Sequence, residues 1–276
     1  MSVADERLGR TRVQRKGSGL DEATLNRVSQ AGWSPLTRDL IVWGPAALVA
    51  VAAFATVIGL LIGGAADPLQ VGDPGPVVRW GLPFARLLYN LTASLTIGGL
   101  VVAMYCASRS EPEHERAMQL AQGGAAGWTL ATMFAAVMSY LSISGVPFST
   151  SADFGAGLWY FMRGLEAGQQ WLLNTIMVLI LSIAVFATRS RWGTCLSTLY
   201  ALLCLWPLAA QGHAAGASNH ITAVGGITLH YTGAAVWLGG LVAVGVVAAL
   251  APAPRRLPLL ERYSSFASTV LTATVL

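Results

Sequence analysis

Long apolar runs leave this chain little choice of fold. Five stretches, 40–62, 84–107, 124–144, 170–188 and 226–250, have the length and composition of membrane spans. A spanning helix needs about 20 mostly apolar residues. In lipid every backbone N–H and C=O must be satisfied internally, so only helices and closed barrels cross. Barrel strands are about 10 residues long and alternate in polarity, and these runs do neither. A sixth stretch, 194–211, is slightly short but apolar, and 263–276 reads as an incomplete seventh that would continue past Leu276. Only 11% of residues are charged, against about 25% in soluble domains, so bilayer must cover much of the surface. The expected fold is all-α: a polytopic transmembrane helix bundle with six complete spans plus a partial seventh.

Orientation follows from Lys and Arg, which accumulate in cytoplasmic loops. The tail over residues 1–38 carries Arg7, Arg10, Arg12, Arg15, Lys16, Arg27 and Arg38. Alternate loops then carry Arg109 and Arg116, Arg189 and Arg191, and Arg255, Arg256 and Arg262. The intervening loops and helix ends hold Arg79, Arg86 and Arg163 alone. The N-terminus is therefore expected in the cytoplasm, with 63–83, 145–169 and 212–225 facing outward. A polar tail ahead of a 23-residue span (40–62) is unlike a cleaved signal peptide, whose apolar core is about 7–15 residues. The net charge of +4 belongs mostly to the inner loops and reports orientation, not nucleic-acid binding. The tail is expected to be solvated, with a turn or two of helix near 21–28.

Cys106, Cys195 and Cys204 all lie away from the outer loops and form no CxxC, so no structural disulfide is expected. Gly98-Gly99 and Gly239-Gly240 fall inside spans, where small residues let helices approach closely. Loop 145–169 contains Trp159-Tyr160-Phe161 and is read either as lying along the membrane surface or as a lid. Asn90, Asn174 and Arg86 are polar groups in outer halves of helices, and Arg163 and Glu166 are close enough in sequence for a local ion pair. His114, within EPEHER, reads as solvated.

The other three histidines, His213, His220 and His230, cluster at one outer corner that carries no Lys or Arg. Neutral imidazole is the commonest protein metal ligand, and ionisable residues inside a span are usually functional. His213 lies seven residues after Trp206, and His230 seven before Trp237, with Ala or Gly between. Residues seven apart share a helix face. Each helix can thus present a histidine above small residues and an aromatic floor. His213, His220 and His230 are the candidate metal ligands, and Trp206 and Trp237 the candidate cofactor-contacting residues. Imidazole suits copper, zinc and haem iron. Met138 and Met162 lie near the outer face without a spacing that ties them to the histidines.

The stretch GITLHYTGAAVWLGGLVAVG, residues 226–245, resembles the signature of the CopD family of bacterial copper-resistance membrane proteins, in which a helix opens on His and runs into Trp-Leu-Gly-Gly-Leu. The following RRLPLLERYSSFASTVLTATVL is similar to that family's next unit, and 86–103 and 164–180 match more weakly. The resemblance implies a CopD-like transmembrane domain over 39–276 in a bacterial plasma membrane, with His230 and Trp237 on the motif. It implies copper handling at the extracytoplasmic face. A CopD-like half is in some bacteria fused to a CtaG-like oxidase-assembly half, so supply of a respiratory oxidase or exchange with an extracytoplasmic copper chaperone is also implied.

The sequence contains no P-loop, GxSxG, HExxH or dinucleotide fingerprint, and the chain is read as a non-enzyme. Two alternatives to copper transport stay open: a haem-binding redox protein with bis-His ligation, and a structural assembly or scaffold subunit.

Overall fold

The structure, a computed structural model, describes residues 35–70, 72–210 and 220–275. The tail through residue 34, with its expected turns of helix near 21–28, and His213 lie outside the described residues. The described chain is helical: α1 (Pro35–Ile62), α2 (Pro76–Val101), α3 (Pro112–Ser144), α4 (Ala152–Gly164), α5 (Glu166–Ala187), α6 (Arg191–Leu203), the short α7 (Trp206–Ala209), α8 (His220–Leu250) and α9 (Ala253–Val275). Six segments among the described residues are long and apolar enough to cross a membrane: Trp43–Ile62, Pro76–Cys106, Pro112–Ser144, Glu166–Ala187, Arg191–Ala209 and Val224–Leu250. They correspond one for one to the six runs read from the sequence. The protein is a multi-pass membrane helix bundle.

Helix ends follow local chemistry. Pro76 and Pro112 open α2 and α3, where a missing N–H costs nothing and the fixed φ is already helical. The Ser151 hydroxyl accepts from the Phe154 N–H at the start of α4, and Ser190 accepts from Gly193 at the start of α6. Gly145 closes α3 in the left-handed region at φ 67°, its N–H donating to the Leu141 carbonyl, a conformation that Gly adopts without strain. Most helices begin earlier than the apolar runs because their first turns project beyond the hydrocarbon. The 145–169 segment contains the helix α4, which packs on α5 through Phe161 and, with Phe154, against Tyr140 of α3. Arg163 stands over the Trp159 ring at 5.3 Å, and no ion pair with Glu166 is present among the described residues.

α2 is the central element, packed on both α3 and α8. Its Gly98 meets the backbone of Gly239, and its Gly99 meets that of Ala121 on α3. The two Gly-Gly steps thus cross one another, as expected of small residues at a membrane crossing. Gly240 sits under the ring of Tyr263 on α9, whose hydroxyl donates to the Trp237 carbonyl. α1 is peripheral. Trp43, Phe54 and Ile62 are 68%, 66% and 83% exposed, a surface for lipid rather than water.

At the end carrying the basic loops, arginines tie helices together. Arg255 meets the buried Glu113 carboxylate at 3.0 Å. Arg116 donates to the Leu250 carbonyl at 2.6 Å, and Arg262 to the Cys106 carbonyl at 3.1 Å. At the opposite end, Arg79 grips both Asp73 oxygens at 2.5 Å and holds the turn at 64–67 through the Ala66 carbonyl. The hydrogen bond and charge of Arg79 keep the Asp73 carboxyl below its ordinary value of 3.8. A depressed carboxylate stabilises above its unfolded value and loses that contribution as pH falls through the lower folded one. Amide protection factors in residues 64–70 and 72–75, taken against intrinsic exchange at each pH, should therefore be flat from neutral pH down to about 4 and fall only below it, whereas Asp73→Asn should show low protection throughout. Equal rates in the variant and wild type at pH 7 would show that the pair orders nothing.

Candidate functional site

α8 begins at His220 and carries His230 further along, within an otherwise apolar span. His230 is exposed, its ring 6.4 Å from that of Tyr231. His230, Ala234, Trp237 and Leu241 form one exposed stripe, while Ala235, Val236, Gly239 and Gly240 are buried. This is the helical period at work: the glycine face must meet α2, so the histidine face turns outward. Trp237 is 48% exposed and lines a shallow groove with Leu241, Tyr263 and Ser264, between α8 and α9. Trp206, on α7, is 45% exposed and lies outside that groove. The described residues thus place the two tryptophans on outward faces.

A second set of polar groups lies near the middle of the bundle, and sequence reading overlooked most of it. Tyr89 of α2, Trp128 of α3 and Trp171 of α5 are fully buried and meet edge to face, with centroids 5.6 and 6.0 Å apart about Tyr89. Pro207 breaks the α6–α7 run, and at the break the Cys204 carbonyl accepts from Asn174 Nδ2 at 2.5 Å. The Tyr89 hydroxyl approaches the Trp128 indole and the Asn174 amide, with the Cys204 thiol and Tyr231 within electrostatic range. It reaches hydrogen-bond geometry with neither, so among the described residues Tyr89 Oη, Trp128 Nε1 and Asn174 Oδ1 are all buried without a partner. An orphaned buried polar atom costs about 1–3 kcal/mol. Three converging on one point, beside a thiol, form a polar waypoint in apolar surroundings. Of these residues only Asn174 and Cys204 stood out in the sequence.

The third set is at the basic end. The turn that continues α2, Val102–Cys106, winds as a π-helix, a form concentrated at functional sites. It borders a cavity of about 460 Å³ lined by Met104, Ser108, Arg109, His114, Arg191, Cys195 and Arg262 among others. His114 is half-buried, not free in solvent as expected, because its Nδ1 is held by the Ala103 carbonyl at 2.9 Å. The three cysteines are free. Among the described residues no three His, Cys, Asp or Glu side chains are grouped to hold a metal ion.

The fold and these sites define a polytopic membrane protein with a histidine exposed on a spanning helix and a polar, thiol-bearing interior. Residues 73–223 match the copper resistance protein D-like, N-terminal domain family. That is more than half of the 276 residues, and the chain belongs to this family. Membership gives it a role in copper resistance or transport. The matched residues are α2 through the start of α8; the 226–245 motif lies just beyond them. No curated protein and no solved structure matches the chain.

Proposed function

We propose that the protein is a carrier, not an enzyme, that takes copper at the extracytoplasmic face of a bacterial plasma membrane and passes it into the bundle. His230 is the receiving ligand, with His220 and His213 as its neighbours in sequence. Copper then moves past Tyr231 toward the Tyr89–Asn174–Cys204 waypoint, where a thiol is the soft ligand Cu(I) prefers. The chain has no nucleotide-binding motif, so the movement is passive or coupled to another gradient. Supply of a respiratory oxidase, or exchange with an extracytoplasmic copper chaperone, is the onward step this reading assigns.

The observation that carries the proposal is His230 itself. An imidazole in the apolar body of a spanning helix, at the end away from the basic loops, is costly to keep there without a role. The chain's membership of a copper-resistance family names the ion. The test is copper content and absorption spectrum of the detergent-purified protein, wild type against His230→Ala. Copper affinity should fall tenfold or more in the variant, since even outer-sphere partners of a metal ligand are worth 10–100-fold. Unchanged copper in His230→Ala would sink the site. A Soret band in the wild type, lost in the variant, would replace copper with haem.

A further inference from the structure

The cavity at the basic end has a property that copper transfer does not use. Arg109, Arg191 and Arg262 come from three separate segments of the chain and line the same space, and among the described residues no acidic side chain lines it with them. The nearby carboxylates are committed or turned away. Glu111 accepts from the Ser108 N–H at 3.1 Å, and Glu113 is taken by Arg255. Glu115 and Glu261 are exposed and do not border the cavity. Arg109 donates to the Arg189 carbonyl and Arg262 to the Cys106 carbonyl, contacts that position the guanidinium groups without neutralising them. Among the described residues the Arg191 side chain has no hydrogen bond or ion pair. Three like charges gathered around one hollow repel one another unless an anion sits between them.

We propose that this cavity binds a phosphate group, that of an anionic phospholipid in preference to free phosphate. Guanidinium is the side chain best matched to phosphate oxygens, which it engages through paired N–H donors. Ser108 adds a hydroxyl donor to the lining. Two aromatic residues also line the cavity, Trp192 and Tyr105, and both are exposed, at 79% and 54%. Exposed Trp and Tyr at the end of a span mark the headgroup level of the bilayer. The cavity therefore opens where lipid phosphates lie, and basic pockets between helices at that level are the usual headgroup sites. Met104, His114 and Cys195 supply soft donors to the same space, but three guanidinium groups around it oppose a cation.

The experiment uses the full chain in detergent and titrates phosphatidylglycerol, phosphatidylcholine, inorganic phosphate and Cu(I), with binding followed by native mass spectrometry and thermal protection. Phosphatidylglycerol should bind and protect, and phosphatidylcholine should not. Arg191→Gln should weaken phosphatidylglycerol roughly tenfold, the worth of one charge-assisted hydrogen bond. Arg191→Lys should recover part of the loss, and Arg109→Gln combined with Arg191→Gln should abolish selectivity. Inorganic phosphate protecting as well as the lipid, with the same dependence on Arg191, would support the phosphate site and assign its occupant to solution. Equal lipid affinity in the double variant would overturn the proposal. So would Cu(I) protection that Cys195→Ser removes, in the absence of any anion effect.

Discussion

Gly98→Val is expected to remove the protein from the membrane, or to leave it with a thermal midpoint too low to survive detergent extraction. A Cβ at residue 98 would fall on the carbonyl carbon and oxygen of Gly239 and close to the Gly240 nitrogen. The obstruction is backbone, not a flexible side-chain end, so relief requires α2 and α8 to separate. α2 cannot simply shift away, because Gly99 on its other side is also packed tightly against the backbone of Ala121 and Ala117. Overpacking a core commonly costs 1–3 kcal/mol. Here the strained contact joins two spanning helices at a crossing pinned from both sides, so the cost should be about 3 kcal/mol or more. Gly239→Val should behave alike, since its Cβ would meet the Ser94 backbone. Gly123→Ala is the control: it is helical and exposed, with open space where the Cβ would go, and should stay within about 1 kcal/mol of wild type. The readout is membrane yield and midpoint of the purified protein. Gly98→Val matching Gly123→Ala would mean that the two Gly-Gly steps do not set the crossing.

Those Gly-Gly steps were legible in the sequence because small residues inside a span have few other uses. The six spans were legible because apolar length is forced by bilayer thickness. What hydropathy cannot tell is which apolar face meets protein and which meets lipid. Trp128 is completely buried and Trp192 is 79% exposed, yet both are tryptophans on amphiphilic or apolar helices. For the same reason the face of α8 that carries His230 and Trp237 could be identified as a face but not aimed. Its outward direction follows from Gly239 claiming the inner one. α4 escaped notice because its 13 residues are too few to span, although Ser151 before an aromatic-rich segment is an N-cap signal. The EPEHER segment misled in a different way. Charged runs are usually solvated, and nothing local shows that Glu113 is buried by a partner 142 positions away.

That pair carries the second large effect. Glu113 is completely buried, at the start of α3, and Arg255 at the start of α9 is its near partner at 3.0 Å, with Arg116 at 3.9 Å. One carboxylate oxygen, Oε1, has no hydrogen bond among the described residues, so the site is satisfied only while Arg255 is in place. Removing one member of a buried pair strands a charge and costs about 3–5 kcal/mol. The partly exposed Arg255 and the remaining attraction of Arg116 place Arg255→Met at the lower end, about 3 kcal/mol. The midpoint in detergent should fall by several degrees, and the first turns of α9 should exchange faster. Glu113→Leu combined with Arg255→Met should recover most of the loss, because a hydrophobic replacement of the whole pair is often neutral or stabilising. A loss under 1 kcal/mol in Arg255→Met would place the pair with ordinary surface bridges. A double variant no better than the single would show that the guanidinium acts by packing against its neighbours. If the pair behaves as expected, it fixes where α9 leaves the membrane, and with it the position of Arg262 over the Cys106 carbonyl. The geometry of the basic cavity then depends on a carboxylate that does not border it.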